Sequence, residues 1–524
     1  VSFLPPFELP PAGASFDVLV VGGGINGVGI ARDLAGRGWS VCLAERDDLG
    51  AHTSSASTKL IHGGLRYLEH YEFGLVRKSL REREVLMKSA PHIIWPLRFV
   101  LPHDPAMRPA WMIRAGLFLY DHLARREVLP GSRAIDLARH PAGAALDARF
   151  GLGFSYSDGW VDDARLVVLA AVDARERGAT VLPRTACVAA QRAADGWAAT
   201  LRQADGGQTT LRARALVNAA GPWAEAFLRG VARSAAGEAL ATHHLRLVKG
   251  SHIVVPRLFE AEHAFIFQNP DRRIVFAIPY ERDFTLIGTT DVELHGDPGD
   301  VHADADEIAY LCEQASRYLR RRVRPADVVW SYSGVRPLLD DSAPGQAGNP
   351  SAVTRDYRLE AHPGGAPLLT VWGGKITTFR PLAEEAAEIV GRALGDKRKP
   401  WTAGAFLPGG DLSAFIGAPE RPDHDFERFL RELRRRWPWL PRPLSRRLAR
   451  AYGSRVERVL GRAASLADLG AELAPGLHEA ELAYLRREEW ALDADDVLWR
   501  RTKLGLRCSA EQRELVARAM TSPP

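Results

Sequence analysis

The sequence predicts an α/β chain in which a doubly wound domain is interleaved with a β-rich domain and followed by an all-α C-terminal domain. Three observations predict it. The chain opens with an aliphatic run, a glycine-rich turn and a helical stretch in βαβ order. A β-rich stretch occupies residues 243–292. Past a boundary near Trp401–Asp411 the composition shifts to an arginine-rich helical region. At 524 residues the chain is too long for one ordinary core, so several domains are expected.

The first strand is Phe16–Val21, a short β-branched and aliphatic run suited to a strand covered on both faces. Gly22-Gly-Gly-Ile-Asn-Gly27 follows, then a helical stretch from Val28 to Arg37 that Gly38 ends. A second strand, Ser40–Ala44, leads to Glu45. A Thr/Ser-rich loop spans His52–Lys59, and residues 71–90 read as a charged helix. Strands and helices alternate over 151–221. Ser251–Val255, Arg273–Ile278 and Phe284–Gly288 read as strands of the β-rich domain. Leu368–Trp372 is another, running into Gly373-Gly-Lys-Ile-Thr-Thr378 and a helix after Pro381. The resulting domains are 16–90, 151–242 and 335–400 for the doubly wound domain, 91–150 and 243–334 for the β-rich one, and 401–524 for the helical one.

Composition removes several classes. The apolar fraction of 46% and charged fraction of 25% are those of a globular protein. Cys42, Cys187, Cys312 and Cys508 have no metal-ligand or redox spacing, so neither a disulfide framework nor a metal site is expected. A net charge of +5 is too mild to argue for nucleic acid. Residues 1–11 lack a basic segment followed by a long apolar one, and no run of about 18 apolar residues occurs, so neither a secretory leader nor a spanning helix is expected.

Gly22, Gly24 and Gly27 have G-x-G-x-x-G spacing. The first allows a tight turn, the second lets a pyrophosphate approach, and the third lets helix and strand pack closely. Free N–H groups at the helix start face the phosphates. Glu45 lies 18 residues after Gly27, placed to accept from a ribose hydroxyl. This is a Rossmann-like dinucleotide site, for NAD or FAD. The second glycine-rich turn, some 350 residues later, favours FAD. Its helix start and Lys375 would stabilise the negative charge of a reduced flavin.

The chain resembles the FAD-dependent glycerol-3-phosphate dehydrogenases of the glycine/D-amino-acid oxidase superfamily. The resemblance is carried by Thr53–Leu68, Trp160–Arg165, Val217–Trp223, Lys249–Pro256, Ile287–Asp291, Tyr332–Leu338, Thr354–Tyr357 and Gly373–Thr378, with Arg487–Trp490 and Trp499–Gly505 near the C-terminus. It covers roughly residues 16–510. Ala220 stands where many members have Thr; the change removes a hydroxyl but leaves the Gly221 turn. The resemblance implies a FAD-binding domain, a substrate domain, and oxidation of glycerol 3-phosphate to dihydroxyacetone phosphate.

That reaction needs a grip on phosphate, a base for the hydroxyl proton and a hydride acceptor facing the C–H bond. Guanidinium forks grip a dianionic phosphate best, and the resemblance points to Arg66, Arg336 and Arg355. His252 is the candidate base, because a neutral imidazole accepts a proton near physiological pH and arginine does not. Thr289 and Lys375 would orient the substrate oxygen and stabilise developing charge, with Tyr67 a further substrate contact. Ser54, Ser55 and Lys59 belong to a loop expected to reach the pyrophosphate and flavin, and His62 is expected near the flavin. Cofactor contacts are also assigned to Asn26, Gly63, Gly221, Gly374 and Thr377, and to the backbone of Val188 after a strand near adenine.

Trp111–Tyr120 is apolar on nearly every side except Arg114, and Arg98, Arg108, Arg125 and Arg126 flank it. It reads either as a core helix or as an interfacial patch with a basic rim. Family resemblance favours the second. It implies peripheral attachment to the cytoplasmic face of the inner membrane and electron transfer to ubiquinone or menaquinone. A homodimer is also expected. The arginine-rich stretch 421–460 suits an anionic surface or a solvated helix face. The rival readings are a glycerol-3-phosphate oxidase returning electrons to oxygen, an amine oxidase of the same superfamily, and an interaction protein on an inactive flavin fold.

Overall fold

A computed structural model describes residues 8–271, 273–339 and 356–521. The first of its two large sheets grows from the βαβ unit. Ser15–Val21 pairs in parallel with Val41–Ala44 on one side and Gln208–Asn218 on the other. Thr180–Leu182 and Leu368–Trp372 extend this parallel array at its two ends. Alternation along the strands supplies both faces. Val18, Val20, Val41 and Leu43 meet helices Ile25–Gly36, Asp163–Glu176 and Phe379–Ala393. Leu19, Val21, Cys42 and Ala44 meet the antiparallel strands Thr185–Arg192 and Trp197–Gln203. Burial on both sides explains the unbroken aliphatic run in the central strand.

In the second sheet Leu245–Pro256 lies between Phe284–Gly288 and Trp330–Leu339, antiparallel to both. Three segments assigned by sequence to the doubly wound domain join this sheet instead. Leu152–Val161 pairs along its length with Ile94–Pro102, Leu60–Ile61 pairs with Trp160 and Gly159, and Trp330–Leu339 continues in the sheet beyond residue 335. An apolar strand shows its periodicity in sequence, but its sheet is chosen by a distant partner.

The C-terminal domain packs Pro422–Arg436, Arg442–Tyr452, Glu479–Glu489 and Ala510–Thr521 around Phe426, Phe429, Leu433 and Leu448. It is not all-α, since Glu472–Ala474 and Leu477–His478 form a small hairpin. It grips the first domain through Arg501, which donates to both Asp48 oxygens at 2.6 and 2.8 Å. Burial opposes ionisation of Asp48, but Arg501 and Arg500 outweigh it and bring the carboxyl down to about 2. Trp499 stacks on Trp330 with centroids 4.5 Å apart, tying the same domain to the second sheet.

Candidate active site

The two sheets enclose a cavity of about 610 Å³. At one end the first strand delivers Gly22 with φ of +111°, where a Cβ would lie 2.4 Å from the Ala219 carbonyl oxygen. Gly27 does not face the cavity. A Cβ there would sit 1.8 Å from the Gly22 carbonyl oxygen, so Gly27 is what lets the helix close on the strand. Gly24 and Asn26 line the cavity at the helix start. The Ser54 hydroxyl, also on the wall, accepts from the Ile25 N–H at 2.9 Å. Asn26 Nδ2 donates to the Gly373 carbonyl at 3.1 Å and so joins the two glycine turns. Its Oδ1 is buried without a partner among the described residues, an acceptor suited to a polar ligand group.

Glu45 lines the same end, its carboxylate accepting from the N–H groups of Gly23 at 2.5 Å and Asp47 at 2.8 Å. Burial pushes this carboxyl up, against those two bonds. Arg46 stacks on Trp223 4.1 Å from the ring centroid, and both line the cavity beside Gly221. Val188 was expected here. It lies inside the strand Thr185–Arg192 at an irregularity between Cys187 and Ala189, and Ala186 and Cys187 form the wall instead.

At the other end the second glycine turn brings Gly374, Lys375 and Thr377 to the wall, with His62 donating its N–H to the Thr377 hydroxyl at 3.3 Å. Lys375 Nζ sits 3.6 Å from the Tyr67 ring centroid, and burial lowers its affinity for the proton. The second sheet adds His252, Thr289 and Arg336, and the turn Leu65–His70 adds Arg66 and Tyr67. Gly250 makes room for two of them, since a Cβ there would lie 2.2 Å from Arg336 Nη2 and 2.9 Å from Thr289 Oγ1. Arg336 is held by Asp291 at 2.6 Å and donates to the Thr290 carbonyl at 2.9 Å. His252 is 2% exposed. Burial, then the nearby charges of Lys59 and Arg336, keep its proton affinity well below that of an ordinary histidine. The imidazole is therefore neutral at physiological pH.

The match to known proteins decides the family. The profile of the FAD dependent oxidoreductases covers residues 17–380, and that of the C-terminal domain of alpha-glycerophosphate oxidase covers 401–522. A glycerol-3-phosphate dehydrogenase of Pseudomonas aeruginosa is 52% identical over 505 residues, 96% of this chain and 94% of that protein. The chain belongs to the FAD-dependent glycerol-3-phosphate dehydrogenase family. A D-erythritol 1-phosphate dehydrogenase of Brucella abortus is 51% identical, over 95% of this chain and 96% of that protein. The glycerol-3-phosphate dehydrogenase of Bacillus halodurans, solved with FAD, superposes with a TM-score of 0.75 at 27% identity, covering 97% of this chain and 90% of that one. FAD is the cofactor, and the glycine turns, the Asn26 acceptor and the cavity fit it.

Within that family site, four expected cofactor contacts besides Gly27 stand elsewhere. Lys59 is 1% exposed and turned from the cavity into an ion pair with Asp163 at 2.8 Å. Ser55 Oγ reaches only the His52 carbonyl, at 3.4 Å, and Ser55 is absent from the wall. Gly63 donates its N–H to Tyr120 Oη at 2.8 Å behind the wall. Val188 is the fourth. Arg355 lies outside the described residues. Thr58 and Asp291 line the cavity of this dehydrogenase and were not expected. Both lie inside strings that marked the family, which was the available signal.

Proposed function

We propose that this protein oxidises glycerol 3-phosphate to dihydroxyacetone phosphate and passes the electrons to a membrane quinone. The observation that carries the chemistry is the convergence of Arg66, Arg336 and Lys375 with the neutral imidazole of His252 on one cavity. The cations bind the phosphate and the substrate oxygen, and His252 takes the proton from the secondary hydroxyl. FAD, when bound, supplies the hydride acceptor. A carboxylate substrate would need less cationic charge, which weighs against an amine oxidase.

Anaerobic bleaching of the bound flavin tests the reading, with glycerol 3-phosphate beside erythritol 1-phosphate and a panel of amines. Bleaching by amines alone overturns it. Rapid oxygen uptake without added quinone would make the enzyme an oxidase.

Arg336→Ala is expected to lower kcat/KM for glycerol 3-phosphate roughly 30-fold, about 2 kcal/mol. That is the low end for a desolvated charge contact. The guanidinium is 29% exposed and already neutralised in part by Asp291, and solvent screening discounts it further. Steady-state kinetics with the flavin content measured in parallel check this. An unchanged kcat/KM removes Arg336 from the phosphate site.

Support for membrane attachment comes from helix Ala110–His122. No helix among the described residues is long and apolar enough to cross a membrane. Ile113, Leu117 and Tyr120 anchor this one inward, while Trp111 is 70% and Phe118 59% exposed, with Met112 and Leu119 beside them. Tyr71 and Phe73, just past the turn that packs on this helix, are exposed too. An aromatic face with an arginine rim fits the interface of a bilayer. Each aromatic withdrawn from water contributes about 1.5–3 kcal/mol. Trp111→Ser with Phe118→Ser is therefore expected to lower partitioning onto anionic vesicles by ~100-fold or more, with dye-linked activity retained. Flotation checks it, and wild-type protein that never floats sinks the reading. Leu117 is 0% exposed and serves the core instead.

A further inference from the structure

Lys59 and Asp163 form a fully buried pair just behind the site, and the cofactor reading leaves them without a task. Lys59 Nζ bonds Asp163 Oδ1 at 2.8 Å, Oδ2 at 3.0 Å and the Ser55 carbonyl at 3.0 Å. The other face of its ammonium looks onto the Tyr332 ring, 4.8 Å from the centroid. Tyr332 in turn lies flat on the His252 imidazole, with centroids 4.8 Å apart and planes at 14°. The Tyr332 ring thus makes a cation–π contact with the ammonium and a stacking contact with the imidazole.

The surrounding bonds fix that arrangement. Tyr332 Oη donates to the Ser57 carbonyl at 2.8 Å, and Ser57 Oγ donates to Asp163 at 2.7 Å. Thr58 Oγ1 meets His252 Nε2 at 3.0 Å. Lys59 takes φ of +60°, a conformation glycine would adopt without strain. The kink sends Thr58 to the cavity and Lys59 to its rear. A lysine tolerated at such a position argues that its side chain is needed where it lies.

We propose that Lys59, paired with Asp163 and acting through the Tyr332 ring, is a positioning residue that holds the His252 imidazole in place and uncharged. This rests on the reading of His252 as the proton acceptor. The charged and titratable groups around the imidazole are few. Lys59 and Asp163 stand behind Tyr332, and Arg336 lies on the same strand as Tyr332. The neighbouring strand presents Gly288. Glu307 bonds Ser251, the next residue along the chain. Burial already disfavours the imidazolium, and the positive charge of Lys59, followed by that of Arg336, adds to it.

The test uses the FAD-loaded enzyme with ¹³C-labelled histidine. The His252 resonance is identified by its loss in His252→Asn. Lys59→Met alone would leave a buried carboxylate unpaired, so Lys59→Met is combined with Asp163→Asn. The double variant removes the Lys59 charge together with its Asp163 counter-charge; because the Lys59 charge is the one of the pair that acts on His252, protonation of His252 is expected to move to higher pH. The low-pH limb of the flavin-reduction rate should follow it. An unchanged His252 titration overturns the proposal. Tyr332→Leu is expected to lower the limiting reduction rate roughly 10-fold with KM unchanged, through loss of orientation, and Tyr332→Phe to restore it. If the double variant fails to take up FAD, the Tyr332 pair decides, and equal rates in both variants overturn the proposal. His252→Asn with a wild-type reduction rate would defeat the base reading, while the resonance titration would still report on Lys59.

Discussion

Replacing His252 by alanine is expected to slow anaerobic flavin reduction by roughly 10²–10⁴-fold, the usual contribution of a positioned general base. Substrate binding should change far less, because the proposed phosphate grip lies with Arg66 and Arg336 rather than with the imidazole. The ring is clamped on both sides. Tyr332 stacks on it, and a Cβ at Gly288 would lie 2.1 Å from its Cδ2. A base held this closely contributes through orientation as well as through proton affinity. Alanine removes both, and the space left by the ring is open to the cavity. Stopped-flow reduction with saturating glycerol 3-phosphate isolates the step. A limiting rate within twofold of wild type would transfer the base role, with Lys375 next in line because burial already lowers its proton affinity.

Gly27→Ala is expected to yield protein without bound flavin. The added Cβ would stand 1.8 Å from the carbonyl oxygen of Gly22. That atom belongs to the backbone and cannot rotate away. The helix Ile25–Gly36 must then withdraw from the strand, carrying Gly24 and Asn26 out of the cavity wall. Overpacking of this kind costs typically 1–3 kcal/mol, occasionally more. Here the whole distortion falls on the cofactor turn, so FAD affinity should drop by ~100-fold or more. The visible absorbance of the purified protein and titration with added FAD measure the effect. Circular dichroism separates cofactor loss from unfolding. Wild-type affinity in this variant would show that the turn does not cradle the cofactor.

What the sequence made legible follows from the range of each interaction. The βαβ unit is local, so glycine spacing and aliphatic runs located its strands to within a residue, although the helix starts at Ile25 rather than Val28. Leu152–Val161 was misassigned because its partner, Ile94–Pro102, is chosen by tertiary packing. In the site, the family resemblance supplied the positions and the chemistry of the reaction supplied the task for each group. Arg336, His252 and Lys375 each offer a charge or a proton acceptor that the reaction needs, and all three line the cavity. Lys59 was misplaced because successive residues in a tight loop face opposite ways. Thr58 takes the cavity side and Lys59 the core. Asp291 escaped notice for another reason. An acidic residue beside a phosphate grip looks unfavourable until the structure shows it restraining Arg336.

The bond from Asn26 to the Gly373 carbonyl joins residues 347 positions apart. This sets an order for biosynthesis. As the chain leaves the ribosome, its first glycine turn is made early, yet its counterpart emerges only after most of both sheets. No nascent chain shorter than about residue 377 holds a complete cofactor cradle. Closure over such a distance is a slow class of folding event, and the half-built apolar sheets are exposed in the interval. FAD then acts as a late-arriving ligand that stabilises the finished fold by mass action. Cofactor supply thus bears on the yield of folded chains, separately from its part in the chemistry.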